Sequence, residues 1–226
     1  ALTPDHPLGC KRLVFSSDYL PALARPNVEV VTSPARALRS RSVVTEDGTE
    51  CEVDVVVCAT GYAAADYLGQ IEVTGEDATT LKQAWHDGPR AYLGMAVPGF
   101  PNFFMLYGPN TNQGGNSIVY ILEAGARLVA DAVARIARRG GRLQVRPEAE
   151  QRFNAEIGAE LERTVWTQCG SYFRSPSGRI VTQWPYNELE YARRTWRLRP
   201  RDWTHDGYRP NGQVPITSSS VSLPRS

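Results

Sequence analysis

The chain has 226 residues, with 25 basic and 24 acidic side chains and a hydrophobic content of 42%. This length is sufficient for one large or two small domains with a buried core. The balanced charge argues against nucleic acid or an anionic membrane surface as a partner. The hydrophobic and aromatic content and the mixed charges are typical of a soluble globular protein, and no apolar run is long enough to cross a bilayer.

The chain contains four cysteines that lack CxxC spacing and a neighbouring histidine: Cys10, Cys51, Cys58 and Cys169. This pattern supports neither a zinc site nor a dithiol redox pair. The three histidines are too scattered to form a metal site. We therefore predict reduced, structural thiols, a cytoplasmic location and no bound metal.

The first segment opens on Ala1 and continues into a turn, which suggests a piece of a longer polypeptide. Residues 16 to 18, Ser-Ser-Asp, are typical of a helix cap, and they predict a brief helix through Leu23 that Pro26 stops.

Three stretches before residue 63 have strand patterns. Residues 28 to 32 alternate and are rich in valine, and residues 42 to 52 predict a hairpin with Asp47-Gly48 as its turn. Residues 54 to 59 form an uninterrupted apolar run, which is typical of a parallel strand covered on both faces. That run ends at Thr60-Gly61-Tyr62.

Residues 103 to 107, all apolar or aromatic, predict a buried strand, and the polar, glycine-rich residues 108 to 117 predict a loop that opens a helix. A helix start offers free N–H groups and a positive dipole end to an electron-rich ligand. The alternative is an ordinary turn capped by Asn116 or Ser117, with no ligand.

The second half of the chain is predicted to be mainly helical. An amphipathic helix is expected from Ser117 to about Arg139, a second helix from Pro147 to about Val165, and one more helical turn from Glu188 to Arg194. Residues 178 to 185 predict a turn and a short strand. From about residue 201 the chain is polar and rich in turn residues, so we predict a disordered tail over 201 to 226.

Five short motifs occur in a fixed order along this pattern: Gly9-Cys10-Lys11-Arg12, DVVVCATGY from Asp54 to Tyr62, Tyr92-Leu93-Gly94, FPNFF from Phe100 to Phe104, and Gly108-Pro109-Asn110 followed by Asn116-Ser117. In type, order and separation they resemble the C-terminal half of flavin-dependent Baeyer-Villiger monooxygenases. The related flavin-containing monooxygenases share part of the pattern. The resemblance covers about residues 1 to 200.

The resemblance implies an α/β flavoprotein with two dinucleotide-binding domains, one for FAD and one for NADPH, of which this chain is the C-terminal portion. On that basis residues 1–58 finish the NADP-binding domain, and residues 59–200 complete the FAD-binding domain with a helical extension. Both GxGxxG turns and the FxGxxxHxxxWP-like fingerprint are missing from the sequence. A pyrophosphate needs such a turn, so we expect the segment alone to hold FAD weakly and to be inactive without the N-terminal half.

The implied reaction inserts one oxygen atom from O2 next to a ketone carbonyl through a flavin peroxide, after NADPH has reduced the flavin. By its position after Gly-x-Lys, Arg12 matches the family's active-site arginine, and Lys11 is assigned to cofactor binding. A guanidinium stays protonated at any working pH, which suits it to stabilising negative charge on oxygen. On composition alone the pair is an ordinary solvated Lys-Arg dipeptide.

Further cofactor contacts are implied for the two glycine-bearing turns and the helix start: Thr60, Gly61, Tyr62, Gly108, Pro109, Asn110, Asn116, Ser117 and Ile118. Turn formation and helix capping explain the same residues without a ligand. Ile118 and Trp184 are candidates for the substrate pocket, and core packing is an equal alternative for Trp184.

Two other functions stay open at this stage. One is a flavin-containing monooxygenase that oxidises nitrogen or sulfur, and the other is a non-catalytic remnant or interaction domain.

Overall fold

The computed structural model describes residues 3–69, 71–115 and 117–207. The chain forms two compact units. The first contains Leu13–Tyr62 together with residues 3 to 5, and the second contains His6–Arg12 and the described residues from Ala63 onward. The predicted division after residue 58 and the assignment of the two parts to NADP and FAD domains stay predictions.

The first unit is built on a small antiparallel sheet. Helix α1 (Tyr19–Leu23) precedes three strands in the order β1 (Ala35–Leu38), β2 (Ser42–Thr45) and β3 (Glu50–Glu52). The predicted hairpin is confirmed: Gly48 has a φ of 87°, and the Thr49 amide donates to Asp47 Oδ1 at 3.0 Å. A left-handed glycine beside an aspartate that accepts from its own turn is the local chemistry a tight turn requires.

Two predicted strands of the first unit are absent. Residues 28 to 32 and 54 to 59 pair with no neighbour among the described residues, and Val55 and Val57 are 77% and 82% exposed. A strand exists only through its hydrogen-bonded neighbour. An apolar run therefore indicates a sheet-forming segment without showing whether its neighbour is present.

Over its described residues the second unit combines four helices with one two-stranded antiparallel sheet. These elements are α2 (Leu81–Ala84), α3 (Ile118–Arg139), β4 (Arg142–Val145), α4 (Pro147–Leu161), α5 (Glu188–Thr195) and β5 (Trp203–Asp206). Short 3-10 turns lie at Glu76–Ala78, Val165–Thr167 and Pro200–Asp202. The whole is a mixed α/β fold.

Helix α3 confirms its predicted start at Ser117 and end at Arg139. Ile121, Leu128 and Ala132 face the core, and Gly125 allows the hydroxyl of Tyr191 on α5 to lie close to the helix backbone. Arg138 and Arg139 in the last turn complement the negative end of the helix dipole. This packing fixes the helix that follows the glycine-rich loop.

The prediction of a disordered tail from residue 201 is wrong for its first residues. Trp203 pairs with Val145, and its side chain is 6% exposed against the core. An aromatic residue in an otherwise polar run is enough to fix a short edge strand when a partner strand is available. Residues 208 to 226 of the predicted tail lie outside the described part.

The helix predicted from Pro147 to Val165 ends at Leu161, and the short strand predicted within 178–185 is reduced to single bridges at Ile180 and Gln183. The helix predicted from Glu188 is confirmed. In the described ranges, none of the helices has the length and hydropathy that a bilayer crossing requires.

Candidate functional site

The segment before the glycine-rich loop is a series of turns rather than the predicted strand. Met105 is buried and its amide donates to the Met95 carbonyl at 2.9 Å, but Tyr107 turns back with a φ of 63°. A bulky residue in the left-handed region is strained and persists only where its surroundings hold it. The apolar pattern correctly indicated burial at Met105 and gave no sign of the backbone reversal.

Residues 108 to 112, here called the GPN loop, are held against residues 180 to 184. The amides of Asn110 and Asn112 donate to the carbonyls of Val181 and Thr182, and the Trp184 amide donates back to Asn112, each at 2.8 Å. The loop therefore has a fixed backbone, which is the first requirement of a site that must position a ligand.

Asn110 supplies the side-chain part of this attachment. Its Nδ2 donates to the carbonyls of Ile180 and Gln183 at 3.0 Å each. The side chain is almost fully buried, and its Oδ1 has no hydrogen-bond partner in the described part of the chain. A buried acceptor without a donor is costly, so Asn110 Oδ1 is a hydrogen-bond acceptor that the described residues leave unsatisfied.

Gly108 is explained by close packing. A Cβ at this position would collide with the carbonyl oxygen of Gly94. Pro109 lies next to the same contact, because its carbonyl is close to where a Cβ of Gly94 would lie. Their predicted contact with a cofactor stays a prediction, since the packing accounts for the glycines without one.

Tyr107 and Asn112 form a polar cluster on the exposed side of the loop. The Tyr107 hydroxyl donates to Asn112 Oδ1 at 2.8 Å, and Asn112 Nδ2 donates to Gln183 Oε1. Gln183 is 1% exposed, so this chain of bonds runs from the surface into the core. Tyr107 keeps its oxygen lone pairs available as acceptors.

Arg12 lies within electrostatic reach of this cluster. Burial raises the pKa of Tyr107, the positive charge of Arg12 partly offsets that rise, and Tyr172 adds to it. The charge of Arg12 thus acts on Tyr107, the residue directly before the GPN loop, and the catalytic role of Arg12 stays a prediction.

Cys10 and Cys169 form a disulfide that bridges 159 positions. The prediction of four reduced thiols is thus wrong for this pair, because sequence spacing carries no information about partners so far apart. Cys51 and Cys58 are free, and Cys58 is exposed. No group of residues suited to hold a metal occurs within the described ranges.

Three predicted cofactor contacts belong to the first unit. Tyr62 is 95% exposed, and Gly61 has a φ of 86° with open space where a Cβ would be. Thr60 precedes them in the same exposed stretch, and Lys11 is exposed in the second unit. Their roles stay predictions.

The remaining candidates lie at or behind the start of α3. Ser117 is the N-cap residue but makes no side-chain capping bond, and Ile118 packs partly buried against the core. Asn116 lies outside the described residues. Trp184 is 1% exposed, with its ring beside those of Tyr186 and Tyr191, so the core alternative describes its position.

The sequence reasoning missed Tyr107, Tyr172, Gln183 and the cysteine pair. Tyr107 was counted with the apolar strand, and a tyrosine directly before Gly-Pro-Asn was the available signal. No local signal existed for Gln183 or for the disulfide, since both depend on contacts between distant segments.

No protein-family model matches the chain. A Baeyer-Villiger monooxygenase of Streptomyces coelicolor is 40% identical over 201 residues, which cover 87% of this chain and 39% of the relative. A Baeyer-Villiger monooxygenase of Pseudomonas aeruginosa is 40% identical over 202 residues, which cover 88% and 37%. The chain therefore spans less than two fifths of the length of these relatives.

Solved structures give the same result. The structure of an oxidized steroid monooxygenase bound to NADP matches with a TM-score of 0.75 and 31% identity, over 85% of this chain and 38% of the other. A cyclohexanone monooxygenase from Rhodococcus sp. Phi1 bound to NADP+ matches with a TM-score of 0.69 and 30% identity, over 79% and 35%. By sequence and by fold, this chain is homologous to a part of the flavin-dependent Baeyer-Villiger monooxygenases.

Proposed function

We propose that the chain is the C-terminal part of an FAD- and NADPH-dependent monooxygenase that inserts one oxygen atom from O2 next to a ketone carbonyl. The observation that carries the proposal is the 40% identity to Baeyer-Villiger monooxygenases, and the charge of Arg12, which acts on Tyr107 directly before the GPN loop, supports it. A relative from Aspergillus niger is named an FAD-binding monooxygenase, and the structure of one neighbour is a complex with FAD and NADP.

The residues present fit these cofactors. A flavin ring carries an N–H group and two carbonyl oxygens, and Asn110 Oδ1 is a buried acceptor without a donor. Gly115 leaves open space where a side chain would be, so a flat ligand can approach the backbone there. Lys11 and Arg12 provide two adjacent cations for the anionic NADPH.

In this proposal the bound flavin, reduced by NADPH, supplies the activation of O2, and the chain supplies charge and orientation. Arg12 stabilises negative charge that develops on oxygen during insertion, without itself exchanging a proton. The hydrogen bond to Asn112 fixes the Tyr107 hydroxyl in one orientation. The flavin-binding roles of Thr60, Gly61 and Tyr62 are proposed from their match to the family's motif.

The rest of a longer polypeptide is the proposed partner of the first unit. Three extended segments expose apolar side chains: residues 13 to 15, 28 to 31 and 55 to 57. Phe15, the most exposed of them, is 94% accessible. Apolar segments of this kind are stable in water only when a sheet or a helix layer covers them, and we assign that cover to the N-terminal half.

The test is expression of the full-length protein with measurement of bound FAD, NADPH consumption and oxygenated product. We expect stoichiometric FAD and a lactone or ester from a ketone. Product from an amine or a thioether alone would favour heteroatom oxidation, and a colourless full-length protein without NADPH consumption would favour a non-catalytic remnant. As a control, the chain of residues 1 to 226 should not bind FAD saturably.

A further inference from the structure

The segment that carries Arg12 has few attachments to the unit to which it belongs. Within His6–Arg12 the Cys10 amide donates to the Pro7 carbonyl at 3.2 Å, and Gly9 lies against the Val165 side chain. In the described ranges, no hydrogen bond or ion pair joins residues 6 to 12 to the remainder of the second unit. The Cys10–Cys169 bond is their fixed link.

The other end of that link is built into the second unit. Cys169 follows the 3-10 turn Val165–Thr167, and Arg174 Nη2 donates to the Thr167 carbonyl at 2.8 Å. Phe173 is 2% exposed and packs edge-on against Trp166, with ring centroids 6.5 Å apart. Cys10 itself is fully buried. The disulfide therefore joins a weakly held segment to a firmly held one.

The length of the chain then limits where Arg12 can go. Two residues of extended chain span about 7 Å, so the Arg12 backbone stays within that distance of a fixed Cys10. The segment that follows Cys169 is joined to the GPN loop, because the Val181 amide donates to the Phe173 carbonyl at 2.9 Å and the Val181 carbonyl accepts from the Asn110 amide at 2.8 Å. Opening the S–S bond would remove the limit on Arg12 and leave the Tyr107 and Tyr172 segments in place.

We propose that the Cys10–Cys169 disulfide is a positioning device that holds Arg12 at the GPN loop. This inference rests on the proposed function for the role of Arg12, but the positioning itself is a property of this chain. The bond forms by exchange with a small disulfide of the glutathione class. The two protein thiols lose two protons and two electrons to form one S–S bond, and the glutathione disulfide is cleaved to two thiols.

The first test measures position without activity. Trypsin cleaves after Lys11 and Arg12, so limited proteolysis of the full-length holoenzyme reports how well this segment is held. We expect resistance at these two sites in the oxidised protein and rapid cleavage after dithiothreitol, with resistance restored by reoxidation. Equal cleavage rates before and after reduction, or free alkylation of Cys10 and Cys169 in the native protein, would overturn the proposal.

The second test uses variants of the full-length holoenzyme. Cys10→Ser, Cys169→Ser and the double variant should each lower the ratio of product to NADPH consumed by about a hundredfold, the size of effect that small misplacement of a catalytic group produces. Cys51→Ser removes a free, partly exposed thiol of β3 and is the matched control. Reduced wild-type protein gives the same measurement if the serine variants fail to fold.

A cycle with Arg12 separates positioning from general stability. The dissociation constant for NADP+, read from the flavin absorbance, should rise by the same factor in Arg12→Ala, in Cys10→Ser and in the combined variant. If the increases in the dissociation constant of the two single variants multiply in the combined variant, the disulfide acts independently of Arg12 and the proposal is overturned. If no substrate is oxygenated but the proteolysis and NADP+ results hold, the proposed function fails and the positioning stands.

Discussion

The two units of the chain differ in what they bury. The second unit encloses a core that includes Trp184, Tyr191 and Ile157, each 2% exposed or less. In the first unit, none of the described apolar side chains of Leu13–Tyr62 is buried, and the buried ones there are the polar Ser42 and Thr45. The second unit therefore has its own hydrophobic stabilisation, whereas the first has a hydrogen-bonded hairpin and apolar segments that still lack cover.

The sequence predicts the features that depend on local signals and misses those that depend on distant contacts. Helix α3 and the hairpin around Asp47-Gly48 rest on local signals, namely a 3.6-residue period and turn chemistry, and both are confirmed. The apolar runs at 54–59 and 103–107 predict strands by the same local rules. Strand pairing of the first run depends on a distant neighbour, and the second run is interrupted by the backbone reversal at Tyr107. The candidate site follows the same division: Arg12 is predicted from its motif, whereas the Tyr107–Asn112–Gln183 hydrogen bonds and the Cys10–Cys169 pair depend on distant segments.

The largest effect is expected from a large-to-small change in the core of the second unit. Trp184→Ala should lower the free energy of unfolding by about 3–5 kcal/mol. The change leaves a cavity beside Tyr186 and Tyr191 and removes the indole Nε1 group that donates to the Asn187 carbonyl. Trp196→Ala, at a position 71% exposed, is the control and should change it by less than about 0.5 kcal/mol. Urea unfolding followed by circular dichroism measures both, and equal effects would contradict the assignment of Trp184 to the core.

A smaller effect is expected in the first unit, and its size depends on whether the rest of the polypeptide is present. Val57→Asp should change the stability of the 226-residue chain by about 0.5 kcal/mol or less, because Val57 is 82% exposed there. In the full-length protein the same change should reduce soluble yield and FAD content severalfold, since a charge would replace an apolar side chain in a covered strand. Equal tolerance in both proteins would mean that residues 55 to 57 are not covered by the remainder of the polypeptide.

The smallest effects are expected in the pH dependence, and they have opposite signs in the two units. The hydrogen bond from Thr45 is the largest of the causes that lower the pKa of Asp47 to about 2. Ionised Asp47 therefore stabilises the folded state above its unfolded pKa, and this stabilisation is lost as the pH falls towards 2. Burial raises the pKa of Glu150, with Arg90 and Arg179 opposing, so its neutral form is favoured. Stability from Glu150 is therefore present below its unfolded pKa and is lost as the pH rises through its folded pKa.

Asp47→Asn and Glu150→Gln remove these two dependences one at a time. Thermal unfolding between about pH 2 and pH 7 should show a weaker acid loss in the first variant and a weaker loss on the alkaline side in the second. Identical pH profiles in the two variants and the unaltered chain would contradict both assignments.

The central claim is that Arg12 provides the cation of an oxygenation site at the GPN loop, and one measurement tests it most directly. Arg12→Ala and, as a control, Arg36→Ala at an exposed position of β1 are compared in the full-length protein for FAD content and for oxygenated product per NADPH consumed. We predict that Arg12→Ala retains FAD and loses product formation, while Arg36→Ala keeps both. Near-normal product formation by Arg12→Ala would contradict the account.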